Sequence, residues 1–413
     1  MSQAAPVFSA VPTLFGADGE VDTGANRALY KLLDGLLDGL LVAGTTGEFP
    51  ALDDAERLSL VELALAEAGP DRVIAHVGAP DARHAARLAQ AATALGATRL
   101  AAITPYYLPA RPDELISHYC RIRDAVPAAE LYAYIFSERT GLRVPAPLFA
   151  SAAEAAGLAG AKLSGSTAAD LAQYVEAAPG LRFYSGNDSD PAATMRAGGA
   201  GLISGRSSAY PEVYAALNAA LAAGDQEMAA RHQQTLDRVV ALGASVGRLK
   251  HALALRGLGG TTARMTVDPP GPELAAAIAA AVAEVSGLLS AGCEPTARMA
   301  RLFRQRFRRK RAPGLGLARQ HVRVPGNRPG ESGHRTAGRC ERGAGSGHVR
   351  RGVSGAGQAR LGCGRLSGLR TIGLGSIGLG SIGLSVEHRV RAGDEHGDGE
   401  AFLLKTLADR LVL

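Results

Sequence analysis

Leu158-Ala159-Gly160-Ala161-Lys162-Leu163 is a short apolar stretch of the length of a buried strand, with one lysine inside it. Lysine is scarce in this chain: across residues 1–290 it occurs only as Lys31, Lys162 and Lys250, and arginine carries the remaining positive charge. Arginine keeps its proton at any ordinary pH, whereas a lysine amine can lose one. A lysine in this setting therefore points to a nucleophile that forms a Schiff base with a carbonyl. The competing reading is a buried stem whose ammonium is paired or reaches the surface.

Seven further segments of the same kind surround this one, alternating with longer alanine-rich stretches. They run Phe8 to Leu14, Gly39 to Ala43, Val73 to Val77, Arg99 to Thr104, Leu131 to Phe136, Arg182 to Ser185 and Gly201 to Ser204. Between them lie sequences such as Asp53-Asp54-Ala55-Glu56-Arg57-Leu58-Ser59-Leu60-Val61-Glu62-Leu63, whose apolar positions recur at helical spacing. Eight βα repeats in about 210 residues predict an α/β fold, a (β/α)8 TIM barrel, rather than an open doubly wound sheet. Beyond the eighth segment, Tyr210 to Gly243, Arg248 to Leu258 and Pro272 to Leu289 read as helices in excess of the barrel's own. The expected organisation is a catalytic barrel over 1–208, a C-terminal helical extension over 209–290, and a tail over 291–413.

The tail is set off by composition. Residues 1–290 hold 22 Lys+Arg against 30 Asp+Glu, net −8, and all 10 tyrosines. Residues 291–413 hold 23 basic and 9 acidic residues, net +14, including 21 Arg, with 24 Gly. The basic character of the whole chain is thus a property of the tail, and it is no argument for nucleic-acid binding by the first 290 residues. Arg/Gly richness, and the near-repeat Ile372-Gly373-Leu374-Gly375-Ser376, Ile377-Gly378-Leu379-Gly380-Ser381, predict a disordered segment. Two readings of it stand: an arm that binds phosphates through its arginines, or a translation of sequence not selected as protein, for example after a frameshift, which arginine enrichment with almost no lysine favours. Cys120, Cys293, Cys340 and Cys363 are too far apart for a paired metal motif, so no metal is expected. No apolar run spans a bilayer, and Met1-Ser2-Gln3-Ala4-Ala5-Pro6 lacks a basic region followed by a hydrophobic stretch, so no membrane partner and a cytoplasmic location are expected.

Barrel active sites form where the strands end and the βα loops begin. The polar residues of this chain concentrate there: Gly44-Thr45-Thr46-Gly47-Glu48, Pro105-Tyr106-Tyr107, Ser137-Glu138-Arg139-Thr140-Gly141, Ser185-Gly186-Asn187-Asp188 and Ser204-Gly205-Arg206-Ser207-Ser208. Thr45 and Thr46 offer hydroxyls beside approachable backbone donors, which suits a small carboxylate, though two threonines also simply end a strand. Tyr107 and Tyr134 are phenols able to move the protons that carbinolamine formation and dehydration require; alone, each is as readily a core residue. Arg139 is either a solvated arginine or a planar fork for a second carboxylate. Glu48 receives no catalytic role. His76, His84, His118, His232 and His251 show no common spacing and read as structural or surface residues.

In combination, Gly44-Thr45-Thr46-Gly47-Glu48, Thr104-Pro105-Tyr106-Tyr107, Tyr134 five residues before Arg139-Thr140-Gly141, and Lys162 resemble the dihydrodipicolinate synthase and N-acetylneuraminate lyase family over roughly residues 6–288. The resemblance implies a class I aldolase on a (β/α)8 barrel, a homodimer or homotetramer, with no cofactor beyond a covalent imine between Lys162 and pyruvate or a related 2-oxo acid. It also implies that Thr46 holds the pyruvate carboxylate and Thr45 links two tyrosines. Tyr134 becomes the proton relay, completed by Tyr107 from a neighbouring subunit. Gly186 and Ile203 match positions whose backbone lines the pyruvate pocket. Arg139 matches the arginine that synthases use for the carboxylate of L-aspartate-4-semialdehyde, which implies condensation to 4-hydroxy-tetrahydrodipicolinate. Ile135, Ser137 and Leu163 depart from the family pattern, and they keep open another pyruvate-dependent aldolase or hydratase-aldolase. Pro80 and His84 stand where feedback-sensitive relatives carry Asn and Glu, so lysine feedback is expected to be absent. A hypothesis of another class, a non-catalytic barrel whose basic tail binds nucleic acid, is disfavoured by the presence of Lys162, Tyr134, Tyr107 and both threonines.

Overall fold

The computed structural model describes residues 4–290; the expectations for 291–413 lie outside the described residues. Eight parallel strands close into a barrel in sequence order: β1 Val7–Ala10, β2 Gly39–Val42, β3 Val73–His76, β4 Arg99–Ile103, β5 Glu130–Ile135, β6 Gly160–Leu163, β7 Arg182–Ser185 and β8 Gly201–Ser204. β8 returns to β1 with Ile203 opposite Phe8. The first strand is shorter than the apolar run suggested. Val11 still donates to Leu41 O at 3.1 Å, but Pro12 has no amide hydrogen with which to continue the ladder.

Around the strands lie α1 Thr23–Asp34, α2 Asp54–Ala68, α3 Ala82–Ala94, α4 Pro112–Ala125, α5 Ser137–Thr140, α6 Ala146–Ala156, α7 Ala168–Ala177 and α8 Pro191–Arg196. The starts of α1, α2, α3 and α7 are set by polar caps: Asp22, Asp53, Asp81 and Thr167 accept from backbone amides of the first turn, and Asp53 completes a reciprocal box with Glu56. After β8 come α9 Pro211–Ala223, α10 Gln226–Ala241, α11 Val246–Leu255 and α12 Pro272–Ser290. The stretch from Tyr210 to Gly243 is thus two helices. Gly224 turns left-handed at φ 75° and Asp225 caps the next helix through Met228 N–H. No described helix is long and apolar enough to cross a membrane.

The core has two parts because side chains along a strand alternate. One set faces the helices and packs with them into the main core, including Leu40, Val42, Val73, Ala75, Leu131, Ile135 and Leu163. The other fills the barrel with Phe8, Ala10, Leu41, Ile74, Ala101, Tyr132, Tyr184 and Ile203. At the N-terminal end, Arg99 closes this interior by donating to Tyr184 Oη at 3.0 Å, while Tyr132 donates to Glu130 at 2.9 Å. These are fixed contacts within the fold, as befits the face of a barrel that carries stability rather than chemistry. At the C-terminal end the interior finishes in Phe49, Ile103 and Tyr134, with Tyr106 and Phe136 packed against them.

Candidate active site

The strand register places Tyr134 beside Lys162, and both follow the parity of the barrel interior. Lys162 is 5% exposed. Its ammonium lies 4.2 Å from the centroid of the Tyr134 ring and has no hydrogen-bond or ion-pair partner among the described residues. A cation over a ring face is worth about 0.5–2 kcal/mol. No carboxylate among the described residues pairs with this amine.

Tyr134 is buried, and its hydroxyl shares a 3.1 Å hydrogen bond with Thr45 Oγ1. The turn that carries Thr45 and Thr46 begins at Ala43, which holds φ 53°, and ends at Glu48, at φ 56°. Tyr107, at φ 79°, completes the set of non-glycine residues with positive φ among the described residues. All three lie at the C-terminal mouth, and conformations of this kind cost about 1–3 kcal/mol each unless the surroundings impose them. What imposes the Glu48 conformation is visible. Its buried carboxylate takes the Lys250 ammonium at 2.5 Å and the amides of Arg264 and Met265 at 2.9 and 2.8 Å. Glu48 is thus a strut between the threonine turn and the C-terminal region.

Thr46 is half-buried beside Gly205 at the end of β8; a methyl group on Gly205 would come to 3.4 Å from Thr46 Oγ1. Gly186 donates its amide to Leu163 O at 2.6 Å, one residue beyond Lys162. A Cβ at Gly186 would meet Ser164 Oγ at 2.4 Å and Leu163 O at 3.0 Å, so the hydroxyl would have to turn away and the neighbouring backbone to give slightly. Ile203 is buried within the barrel beneath the mouth. Arg139 is exposed on α5, a single helical turn where the sequence suggested a loop. Its guanidinium lies 5.8 Å from the Phe136 ring, which in turn stacks on Tyr134 at 6.2 Å. Contacts therefore run from Lys162 through two rings to Arg139 at the rim. Asp188 is committed to Ser204 and Arg206 and ties the ends of β7 and β8 together.

Tyr107 is the sequence-derived residue that one chain does not bring to the site. It is 90% exposed and makes no hydrogen bond among the described residues, so Thr45 contacts one tyrosine here and not two. His76 is the residue that sequence reading missed. It closes β3 inside the barrel, with its ring edge-on to Tyr134 at 5.8 Å and to Phe49 at 4.6 Å. Burial, and then the Arg57 and Lys162 cations, hold its pKa well below the ordinary histidine value, so the ring is neutral. The signal was available in Val73-Ile74-Ala75-His76, where the histidine shares parity with Ile74.

A family model described as the dihydrodipicolinate synthetase family matches residues 3–283. An uncharacterized DapA-like lyase of Halobacterium salinarum is 36% identical over 257 residues, covering 61% of this chain and 84% of the relative. A 4-hydroxy-tetrahydrodipicolinate synthase of Mycolicibacterium paratuberculosis is 33% identical over 282 residues, covering 66% and 92%. Among solved structures, a prophage protein of the dihydrodipicolinic acid synthase family from E. coli K12, in complex with pyruvate, superposes with a TM-score of 0.63. It is 26% identical and covers 68% of this chain and 98% of its own.

Proposed function

The chain belongs to the dihydrodipicolinate synthetase family of class I aldolase lyases, and from that premise we propose that Lys162 forms an imine with pyruvate and that the resulting enamine condenses with L-aspartate-4-semialdehyde. The observation that carries this reading is the Lys162 amine, buried without an acid partner and set against a tyrosine whose hydroxyl is bonded to Thr45. The amine adds to the C2 carbonyl of pyruvate, water leaves to give the imine, and loss of a C3 proton gives the enamine. That carbon then attacks the aldehyde carbon, whose oxygen takes up a proton. Tyr134 and Thr45 form a chain of hydroxyls along which these protons move. Tyr107 from a second copy of the chain extends it, which agrees with its exposure in one copy. Thr46, with the amides near Gly186 and Ile203, holds the pyruvate carboxylate. No cofactor is required, because the imine itself is the electron sink.

Arg139 supports the semialdehyde assignment by supplying a planar pair of donors at the rim above Phe136. Of the three departures from the family pattern, Ile135 and Leu163 face the helical layer and not the barrel interior, while Ser137 opens the α5 turn at the rim. Ile135 and Leu163 therefore do not enter the space around Lys162 and Tyr134. One observation favours a second reading, condensation with an aldehyde that carries no carboxylate: the rings of Phe49, Tyr106 and Phe136 give the mouth an apolar wall.

Steady-state condensation assays separate the two. Arg139→Ala is expected to raise KM for L-aspartate-4-semialdehyde about 10- to 100-fold, the loss of a charge-assisted hydrogen bond, while KM for pyruvate stays put. Absence of turnover with the semialdehyde by a wild-type enzyme that still forms the pyruvate imine would remove the synthase assignment and select the second reading.

A further inference from the structure

His76 Nδ1 lies 2.9 Å from the carbonyl oxygen of Ala43. A carbonyl oxygen can only accept, so in this bond the imidazole donates from Nδ1; the Arg57 guanidinium lies farther from the same nitrogen, at 3.4 Å. Ala43 is the residue with φ 53° that leads into Gly44, Thr45 and Thr46. A left-handed alanine costs roughly 1–2 kcal/mol, so the carbonyl needs an anchor if the turn is to keep one conformation. The other side of the same ring packs against Tyr134 and Phe49. The Thr45–Tyr134 hydrogen bond thus has both of its partners resting on one imidazole: the backbone that delivers Thr45, and the ring that carries the phenol. The imidazole is itself fixed from behind. Arg57, buried on α2, donates to His76 O at 2.8 Å and to Gly78 O at 3.1 Å, which pins the end of β3.

We propose that His76 is a positioning residue that sets the Thr45–Tyr134 hydrogen bond by donating to the carbonyl of Ala43. The proposal rests on the reading of Lys162 as the imine lysine and of Tyr134 as its proton relay. Nothing in it asks His76 to touch substrate or to change charge. A relay displaced by a fraction of an ångström slows proton transfer without weakening pyruvate binding.

The test compares His76→Asn, whose side-chain amide reaches the position of Nδ1 and keeps a donor, with His76→Phe, which keeps a ring and has none. Exchange of the pyruvate methyl protons into heavy water reads the relay without any aldehyde. The Phe variant is expected to exchange about 10- to 100-fold more slowly at saturating pyruvate, with KM for pyruvate within about threefold of wild type, and the Asn variant to recover to within about threefold of the wild-type rate. Exchange at the wild-type rate in the Phe variant, or an equal loss in both variants, would overturn the proposal. If His76→Phe does not fold, His76→Leu takes its place as the ring-sized side chain without a donor. A borohydride-trapped pyruvate adduct in the wild type keeps the two levels apart: no adduct sinks the imine reading itself, while an adduct with the wrong order of rates sinks only the role of His76.

Discussion

Lys250 and Lys162 are both buried, at 0% and 5% exposure, yet their surroundings differ in kind. The Lys250 ammonium sits 2.5 Å from Glu48 and 2.7 Å from Thr262 O, with the Phe15 ring 4.4 Å away. Burial pulls its pKa below the ordinary lysine value and Glu48 pulls it back. Lys162 has a ring, Tyr134, and no acid. The first lysine is a charge kept as a charge, bonded so that the fold can carry it. The second is a buried amine set against a ring, with no acid beside it among the described residues, and it is the one proposed as the nucleophile. The contrast also divides the labour of one loop. Glu48 fastens the end of the threonine turn to the C-terminal region through Lys250, and two and three residues earlier the same turn carries Thr46 and Thr45.

The comparison breaks most sharply at Lys162. Lys162→Arg keeps a buried cation in place and removes the nucleophile, so condensation should fall by at least about 10⁴-fold with little change in melting temperature. Survival of activity would mean that no imine is formed at this residue. Next in size is Glu48→Ala, which leaves the Lys250 ammonium buried and unpaired. It should cost about 3–5 kcal/mol of folding stability by denaturant titration, and the Glu48→Ala, Lys250→Met double variant should regain a large part of that. If the single and double variants were equally unstable, the pair would not be the strut described here. Tyr134→Phe is the finer probe, because it retains the ring beneath the Lys162 ammonium and deletes only the hydroxyl bonded to Thr45. Turnover should drop about 100-fold with the pyruvate imine still trapped, which would separate packing by the ring from the proton transfer proposed for the phenol. An unchanged rate would assign proton transfer elsewhere.

Much of this arrangement is legible in the sequence because strands and caps are local. The eight apolar segments mark the barrel, and Lys162 draws notice because lysine is rare and the stretch around it is apolar. The rest depends on contacts far apart in the chain. Glu48 reads as a local cap until it meets Lys250, 202 residues away. His76 looks like one of several scattered histidines until barrel closure sets it against Tyr134 and Ala43. The helix break at Gly224 was signalled by Gly-Asp, but alanine-rich sequence on both sides masks a turn when apolar periodicity alone is followed. Tyr107 points away from the site of its own chain, and its proposed role depends on a second copy that no intrachain pattern encodes.

The nucleophile proposed for this barrel is Lys162. Intact-mass measurement after borohydride reduction in the presence of pyruvate, followed by peptide mapping, tests it directly on wild type, Lys162→Arg and a variant of the other buried lysine, Lys250→Met. The account predicts one reduced pyruvate adduct per wild-type chain, located on the peptide containing Lys162, retained in Lys250→Met and absent from Lys162→Arg. An adduct that maps to Lys250 or persists in Lys162→Arg, or no adduct in the wild type, would contradict it.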